Sequence, residues 1–199
     1  MSERLSTSKK AKLISMEGPD GVGKTTQVRL LAEALRSEGN KVVTVKLPRY
    51  DRLTGKFILR MLKSGSAVRY PNIFQLVQWF DKLLFQVFYM AKLLRENDYV
   101  LFDRWHVSMW AYGLAGGANE RLTDTLVNTL KAPDLVLVFC GKSKRSEKRD
   151  AYESDDSYQK SVALHYVLWT CSHESAEAVN ADESMEQVSQ AILGCVHSL

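Results

Sequence analysis

The sequence predicts an α/β fold: a five-stranded parallel sheet with helices on both faces. Three observations lead there. Short apolar runs rich in Val, Leu and Ile alternate with stretches of helical periodicity along the 199 residues. The run Asp134–Phe139 is apolar after its first residue, the pattern of a strand buried on both faces. The first apolar run leads into a glycine-rich loop that opens a helix, a connection typical of parallel sheets. At roughly 100 to 200 residues per domain, the chain has room for one unit, placed at 12–199 after a solvated tail over 1–11. With 45% hydrophobic and 25% charged residues it has the composition of a globular chain. Disorder, collagen and coiled coil are thereby excluded, and about 70% of the unfolded surface can be buried.

The elements follow in order. Leu13, Ile14 and Met16 form the first strand before Gly18, and Lys24–Arg36 then places Val28, Leu31, Ala32 and Leu35 at helical spacing. Gly39-Asn40 stops that helix, and Val42, Val43 and Val45 make a β-branched second strand ending at Pro48. Thr54–Ser64 reads as a short helix. Asn72–Arg95 reads as one long helix, apolar on most of its circumference and so packed between neighbours. Tyr99–Phe102 is the third strand. Val107–Ala115 and Arg121–Leu130 are helices separated by Gly116-Gly117, and Asp134–Phe139 is the fourth strand. Residues 142–156 are strongly charged and read as an exposed, mobile loop. Ser157–Thr170 resumes as a helix, Ala176–Asn180 is a weak fifth strand, and Ser184–Val196 closes the pattern as a helix.

Lys plus Arg (27) against Asp plus Glu (23) leaves a net charge of +4, too small a bias to call for nucleic acid but compatible with an anionic substrate. Cys140, Cys171 and Cys195 are few and widely spaced, which suggests neither a disulfide framework nor a zinc site and fits a cytoplasmic setting. Met1–Lys12 carries Glu3, Arg4, Lys9, Lys10 and Lys12 without the apolar stretch of a secretory signal. The most apolar stretch, Asn72–Glu96, is interrupted by Asp81, Lys82, Lys92 and Arg95, so no membrane span is expected.

Gly18-Pro19-Asp20-Gly21-Val22-Gly23-Lys24-Thr25 fits G-x-x-x-x-G-K-[ST] and lies between a predicted strand and a predicted helix. The glycines let backbone N–H groups through Thr26 converge on phosphate at a helix N-terminus. Lys24 neutralises the outer phosphates, and Thr25 offers its hydroxyl to magnesium. Val100-Leu101-Phe102-Asp103-Arg104 is an apolar strand ending in a carboxylate, where an open parallel sheet presents its crevice. Asp103 is therefore a magnesium ligand, directly or through water, or else a helix cap. The forked guanidinium of arginine suits phosphate. Arg49, after the second strand, is either a phosphate ligand or a solvated surface residue, and Arg104, beside Asp103, either a phosphate ligand or a structural ion-pair partner.

The chain resembles the thymidylate kinase family of P-loop nucleoside-monophosphate kinases. Glu17-Gly18-Pro19-Asp20-Gly21-Val22-Gly23-Lys24-Thr25-Thr26 is similar to its E-G-x-D-G-x-G-K-[ST]-T. Pro48-Arg49 with Thr54-Gly55-Lys56, Ile58 and Leu62 resembles its F-P-x-R and G-K-x-[IL]-x-x-x-L segment. Asp103-Arg104-Trp105, Ser108 and Ala111-Tyr112 resemble D-R-Y-x-x-S-x-x-A-Y. Asp150, Tyr152-Glu153, Val162 and Tyr166 resemble the lid-to-helix pattern, and Val179-Asn180-Ala181 the terminal V-D-A. The resemblance implies a P-loop kinase fold, ATP with Mg2+, and transfer of the γ-phosphoryl group to a deoxynucleoside 5′-monophosphate, dTMP first. It also implies a homodimer, with Asp20 and Tyr112 against the sugar, and Arg49 and Arg104 on the acceptor phosphate.

The chain departs from that pattern in three places. Gly21 stands where many members have a phosphate-loop arginine, and Ala151 stands at the usual lid arginine, which leaves Arg145 and Arg149 as the lid cations. The base-reading pair, an aromatic four residues before an arginine, has its nearest match in Gln78 and Lys82, with Trp79 and Phe80 beside them. Met109 stands near the base, where a small or polar residue is usual, and Ser108 beside it. The pocket is thus expected to read the pyrimidine through Gln78 or Lys82, and a modified pyrimidine deoxynucleotide is the alternative substrate. A nucleotide-dependent switch is the rival of another class, but no guanine-reading N-K-x-D occurs.

Overall fold

The structure, a computed structural model, describes residues 11–143 and 156–199. The predicted tail over 1–11, except Ala11, and the predicted lid over 142–156, except its two ends, lie outside the described residues. Five strands form one parallel sheet in the order β2-β3-β1-β4-β5. They are β1 Lys12–Glu17, β2 Val42–Lys46, β3 Tyr99–Asp103, β4 Leu135–Cys140 and β5 Ala176–Asn180.

Side chains alternate across this sheet as the pleat requires. Ile14, Met16, Leu101, Leu137 and Phe139 project to one face, where they are buried under α1 (Lys24–Ser37) and the last helix, α9 (Met185–His197). Leu13, Val100, Phe102, Val136 and Val138 project to the other. That face is covered by α6 (His106–Ala115), α7 (Glu120–Asn128), α8 (Asp156–Ser172) and a long helical run. The three inner strands β3, β1 and β4 are therefore buried along almost their whole length, whereas β2 and β5 at the sheet's edges expose Thr44, Lys46, Glu177 and Asn180.

The long run expected over 72–95 is composite. It consists of α4 (Pro71–Phe85), a π-helical segment (Gln86–Met90) and α5 (Ala91–Glu96). The wider turn has a packing reason. Phe85 and Met90, five residues apart, both enter the cluster with Phe102 and Trp105, whereas α-helical geometry would send them to different faces. Gln86 pins the segment from outside by accepting from the Lys131 N–H (2.5 Å) and donating to the Thr129 carbonyl (3.3 Å). Before it lie α2 (Leu53–Lys63) and a single-turn α3 (Ser66–Arg69) that the sequence pattern does not announce. Gly55 lets α2 approach closely, since a Cβ there would sit 2.0 Å from the Arg49 carbonyl oxygen.

Candidate active site

All five strands run the same way, so their C-terminal ends share one edge, and the register fixes which residues meet there. Met16 pairs with Asp103, and Asp103 with Lys46. Beyond β1 the chain enters the loop 18–25. Gly18, with φ 136°, passes so close to β4 that a Cβ would lie 2.6 Å from the Phe139 carbonyl oxygen. The loop therefore folds tightly over the sheet edge and delivers Gly23 to the start of α1. The Thr25 hydroxyl donates to Asp103 Oδ2 at 2.6 Å. Lys46 Nζ lies 3.3 Å from the same oxygen and 3.4 Å from Thr25 Oγ1. Lys24 is buried and its ammonium donates to the Pro19 carbonyl. Burial, with Arg104 nearby, holds its pKa well below the usual lysine value, against the pull of Asp20, Asp103 and Glu17. An ammonium so placed gains from an added anion. The cleft over this loop has a volume of about 540 Å³ and includes Asp20, Lys24, Thr25, Lys46, Lys63, Asp103 and Arg104.

Arg104 is the hub. It follows β3 in a left-handed conformation, φ 71°, rare for a residue with a side chain, and its N–H donates to the Met16 carbonyl at 3.1 Å. That turn aims the guanidinium back over the loop. One terminal nitrogen donates to the Gly18 carbonyl (3.0 Å), Ser108 Oγ (3.1 Å) and Tyr166 Oη (3.2 Å). The other donates to Asp20 Oδ1 (2.6 Å) and Tyr112 Oη (3.4 Å). Tyr112 in turn donates to Asp20 Oδ2 at 2.6 Å. Burial alone would raise the Asp20 carboxyl, but Arg104, Lys24 and the Tyr112 hydrogen bond bring it down to about 2. Asp20 is thus a fixed anion that orients Arg104 and Tyr112.

Glu17, fully buried at the end of β1, anchors the far side of the hub. Its carboxylate accepts from the N–H groups of Trp105 (2.8 Å) and Ser108 (3.0 Å) and from the Ser108 hydroxyl. It thereby satisfies orphan donors at the N-terminus of α6. Burial pushes this carboxyl above the usual range, while those donors oppose the rise.

A second lobe of about 180 Å³ adjoins the cleft at Asp20 and Arg104, walled by Pro48, Tyr50, Phe74, Gln78, Lys82, Tyr112 and Tyr158, with Ser108 also lining it. Phe74, Gln78 and Lys82 are spaced by four on α4 and so share a face. The aromatic residue four places before a polar one is therefore Phe74 with Gln78, a register the sequence reading missed. Its signal was available: Gln78 and Lys82 are polar on an otherwise apolar run, and Phe74 completes their stripe. Lys46, Tyr50 and Tyr158 were missed as well. Lys46 ends the strand neighbouring β3, so the parallel topology would have placed it beside Asp103.

The structure brings Gly21, Gly23, Lys24, Thr25, Thr26, Asp103, Asp20 and Arg104 into the first lobe, and Gln78, Lys82, Ser108 and Tyr112 into the second. Gly18 contributes through its carbonyl, whereas Val22 packs in the core below the loop. Arg49 is not brought to either lobe. Tyr50 takes the inward position after Pro48, and Arg49 faces Asp51 (3.4 Å) and the Tyr89 ring (5.9 Å) in a separate pocket between α2 and α4. Met109 is not brought to either lobe. It is fully buried among Val107, Ala111 and Val127, and its carbonyl accepts from Gln75 at 2.9 Å. Trp79 turns into the core and bonds Thr129 Oγ1 at 2.8 Å, and Phe80 lies on the outer surface. Arg145 and Arg149 lie outside the described residues.

A phosphate loop, a carboxylate at the end of the adjoining strand and an arginine joining two lobes are now in place, and comparison with known proteins decides between their relatives. Residues 16–192 match the family model described as thymidylate kinase. The chain belongs to the thymidylate kinase family. It is 30% identical to a probable thymidylate kinase of Thermococcus onnurineus, covering 92% of this chain and 96% of that one. It is 33% identical to the thymidylate kinase of Pelotomaculum thermopropionicum, covering 76% of each. The solved structure of thymidylate kinase from Candida albicans superposes with a TM-score of 0.79 at 22% identity, covering 95% of this chain and 92% of that one, which bears on the fold. Family membership makes the protein a nucleoside-monophosphate kinase that transfers a phosphoryl group to dTMP, giving dTDP.

Proposed function

We propose that ATP, as its magnesium complex, is the donor: an oxygen of the dTMP phosphate attacks the γ-phosphorus while the bond to the β-γ bridging oxygen breaks, releasing ADP and dTDP. The observation that carries this reading is the pair of lobes meeting at Arg104, one lined by the phosphate loop and the other by Phe74 and Gln78. The donor set fits the metal. Thr25 Oγ1 and Asp103 Oδ2 are hard oxygen ligands 2.6 Å apart, the chemistry magnesium requires. When bound, the ion supplies neutralisation of the polyphosphate charge.

The chain's own residues do the rest. Lys24 exchanges the Pro19 carbonyl for phosphate oxygen and spreads the migrating negative charge. Arg104, already held by five partners, needs no reorganisation to meet the acceptor phosphate. Asp20 and Tyr112, locked together, face the sugar, and Phe74 stacks the base. Lys46 and Lys63, together with Arg145 or Arg149 of the segment 142–156, meet the remaining demand for cations. The proposal extends to one kinase domain over 12–199, a homodimer and a cytoplasmic setting. In its support, Cys140, Cys171 and Cys195 are free thiols, and no helix among the described residues is long and apolar enough to cross a membrane.

ADP release coupled to a spectrophotometric readout tests the reading. Wild-type protein is expected to release ADP with dTMP and Mg-ATP, and Lys24→Met to lose at least about 10³-fold in kcat, about 4 kcal/mol in barrier. Release of ADP no faster than in the absence of acceptor would refute the activity.

A further inference from the structure

The acceptor lobe contains a cation that the described residues do not use. Lys82 lies on α4, is only 3% exposed and lines the lobe, yet its ammonium makes no hydrogen bond or ion pair among the described residues. The carboxylates of Asp81 and Glu17 act on it only at longer range, and burial lowers its pKa to about 8. The residue is buried and lines the lobe, so an acceptor arriving there would pair an ammonium that has no partner among the described residues.

The other polar groups of the lobe sort themselves. Asp20, Arg104, Tyr112 and Ser108 are already engaged with one another and with Glu17. Gln78, one helical turn before Lys82 on the same wall, makes no hydrogen bond among the described residues. Its amide can donate to a pyrimidine 4-carbonyl and accept from the neighbouring N3–H, which completes a uracil-type edge. Lys82 is then left facing the next position along that edge, C5. The methyl group of thymine offers it no acceptor, whereas an oxygen-bearing substituent does.

We infer that Lys82 is a specificity-determining residue that makes this site favour pyrimidine deoxynucleoside monophosphates carrying an oxygen acceptor on the C5 substituent over dTMP itself. The inference rests on the kinase reading and deepens it. Sites built to hydrogen-bond a polar group discriminate strongly against analogues lacking it, because the protein group is then left buried and unpaired.

The test compares kcat/KM for 5-hydroxymethyl-dUMP, dTMP and dUMP at saturating Mg-ATP, in the wild type and in Lys82→Met and Lys82→Gln. Thermal unfolding confirms that each variant is folded. The expected result is at least a tenfold wild-type preference for 5-hydroxymethyl-dUMP over dTMP, lost in Lys82→Met and partly kept in Lys82→Gln. A wild-type preference below threefold overturns the inference whether or not the variants fold. So does an equal loss on all three nucleotides, which would assign Lys82 to the 4-carbonyl they share. Turnover of dTMP with either outcome leaves the kinase reading standing. No turnover of any of the three removes the kinase reading and the inference together.

Discussion

His106 opens α6 with its ring edge-on to Trp169 at 5.4 Å and its Nδ1 buried without a hydrogen-bond partner among the described residues. Burial first, then Lys82 and His173, lower its pKa to about 3. Between pH 6.5 and about 3 the unfolded chain binds a proton at this position that the folded chain refuses, so stability falls as pH falls through that window. The slope approaches about 1.4 kcal/mol per pH unit. Urea denaturation of His106→Phe should show a flatter dependence between pH 6.5 and 4.5 than the wild type. Parallel curves would mean that other groups set the acid sensitivity. The single-residue reading of the sequence located the cleft's residues where position is written locally. The spacing from Gly18 to Thr25 carries its own geometry, and Asp103 and Arg104 follow from ending an apolar strand. It failed where a rotation decides the role. Arg49 and Tyr50 are neighbours with opposite facings, and Met109 and Ser108 differ by one step around α6. No composition or spacing within three residues distinguishes them.

At the scale of elements, β1 and α6 are coupled by one carboxylate. Glu17 spans from the strand end to the N–H groups of Trp105 and Ser108, and Ser108 also meets Tyr166 of α8 at 2.8 Å. Glu17→Gln keeps the shape but puts a second amide donor against groups that already donate. It should lower unfolding free energy by about 2–3 kcal/mol in a urea titration, and a loss under about 0.5 kcal/mol would show that α6 holds its position without this cap. All five strands and most helices were legible because they are buried on defined faces and leave a period in the sequence. The π-helical segment was not. Its cause is the shared need of Phe85 and Met90 to reach one cluster, a demand set by Phe102 and Trp105 from another part of the chain.

For the whole molecule, the proposed dimer has a surface to form on. Leu53 and Phe57 of α2 line an open groove with Ile73, Leu76 and Phe80 of α4, and Val87 and Phe88 extend the exposed apolar face along the π-helical segment. Contiguous apolar surface of this kind is unusual on a lone chain. Phe57→Glu combined with Phe80→Glu should convert a dimer to monomers in sedimentation velocity at micromolar concentration, and a monomeric wild type would remove the proposal. The strand order has a consequence of a different kind, in time rather than space. β1 is the central strand of the sheet, yet its two partners are synthesised much later: Leu13 pairs with Val100, and Ile14 with Leu135. At about 5–20 residues per second, Leu13 waits on the order of ten seconds on a ribosome before its neighbour is made, and Ile14 waits longer. A chain interrupted before β4 would hold the complete loop 18–25 and the Asp103 carboxylate but no strand along the other edge of β1. The catalytic motif is encoded early, and the sheet that shapes it closes late.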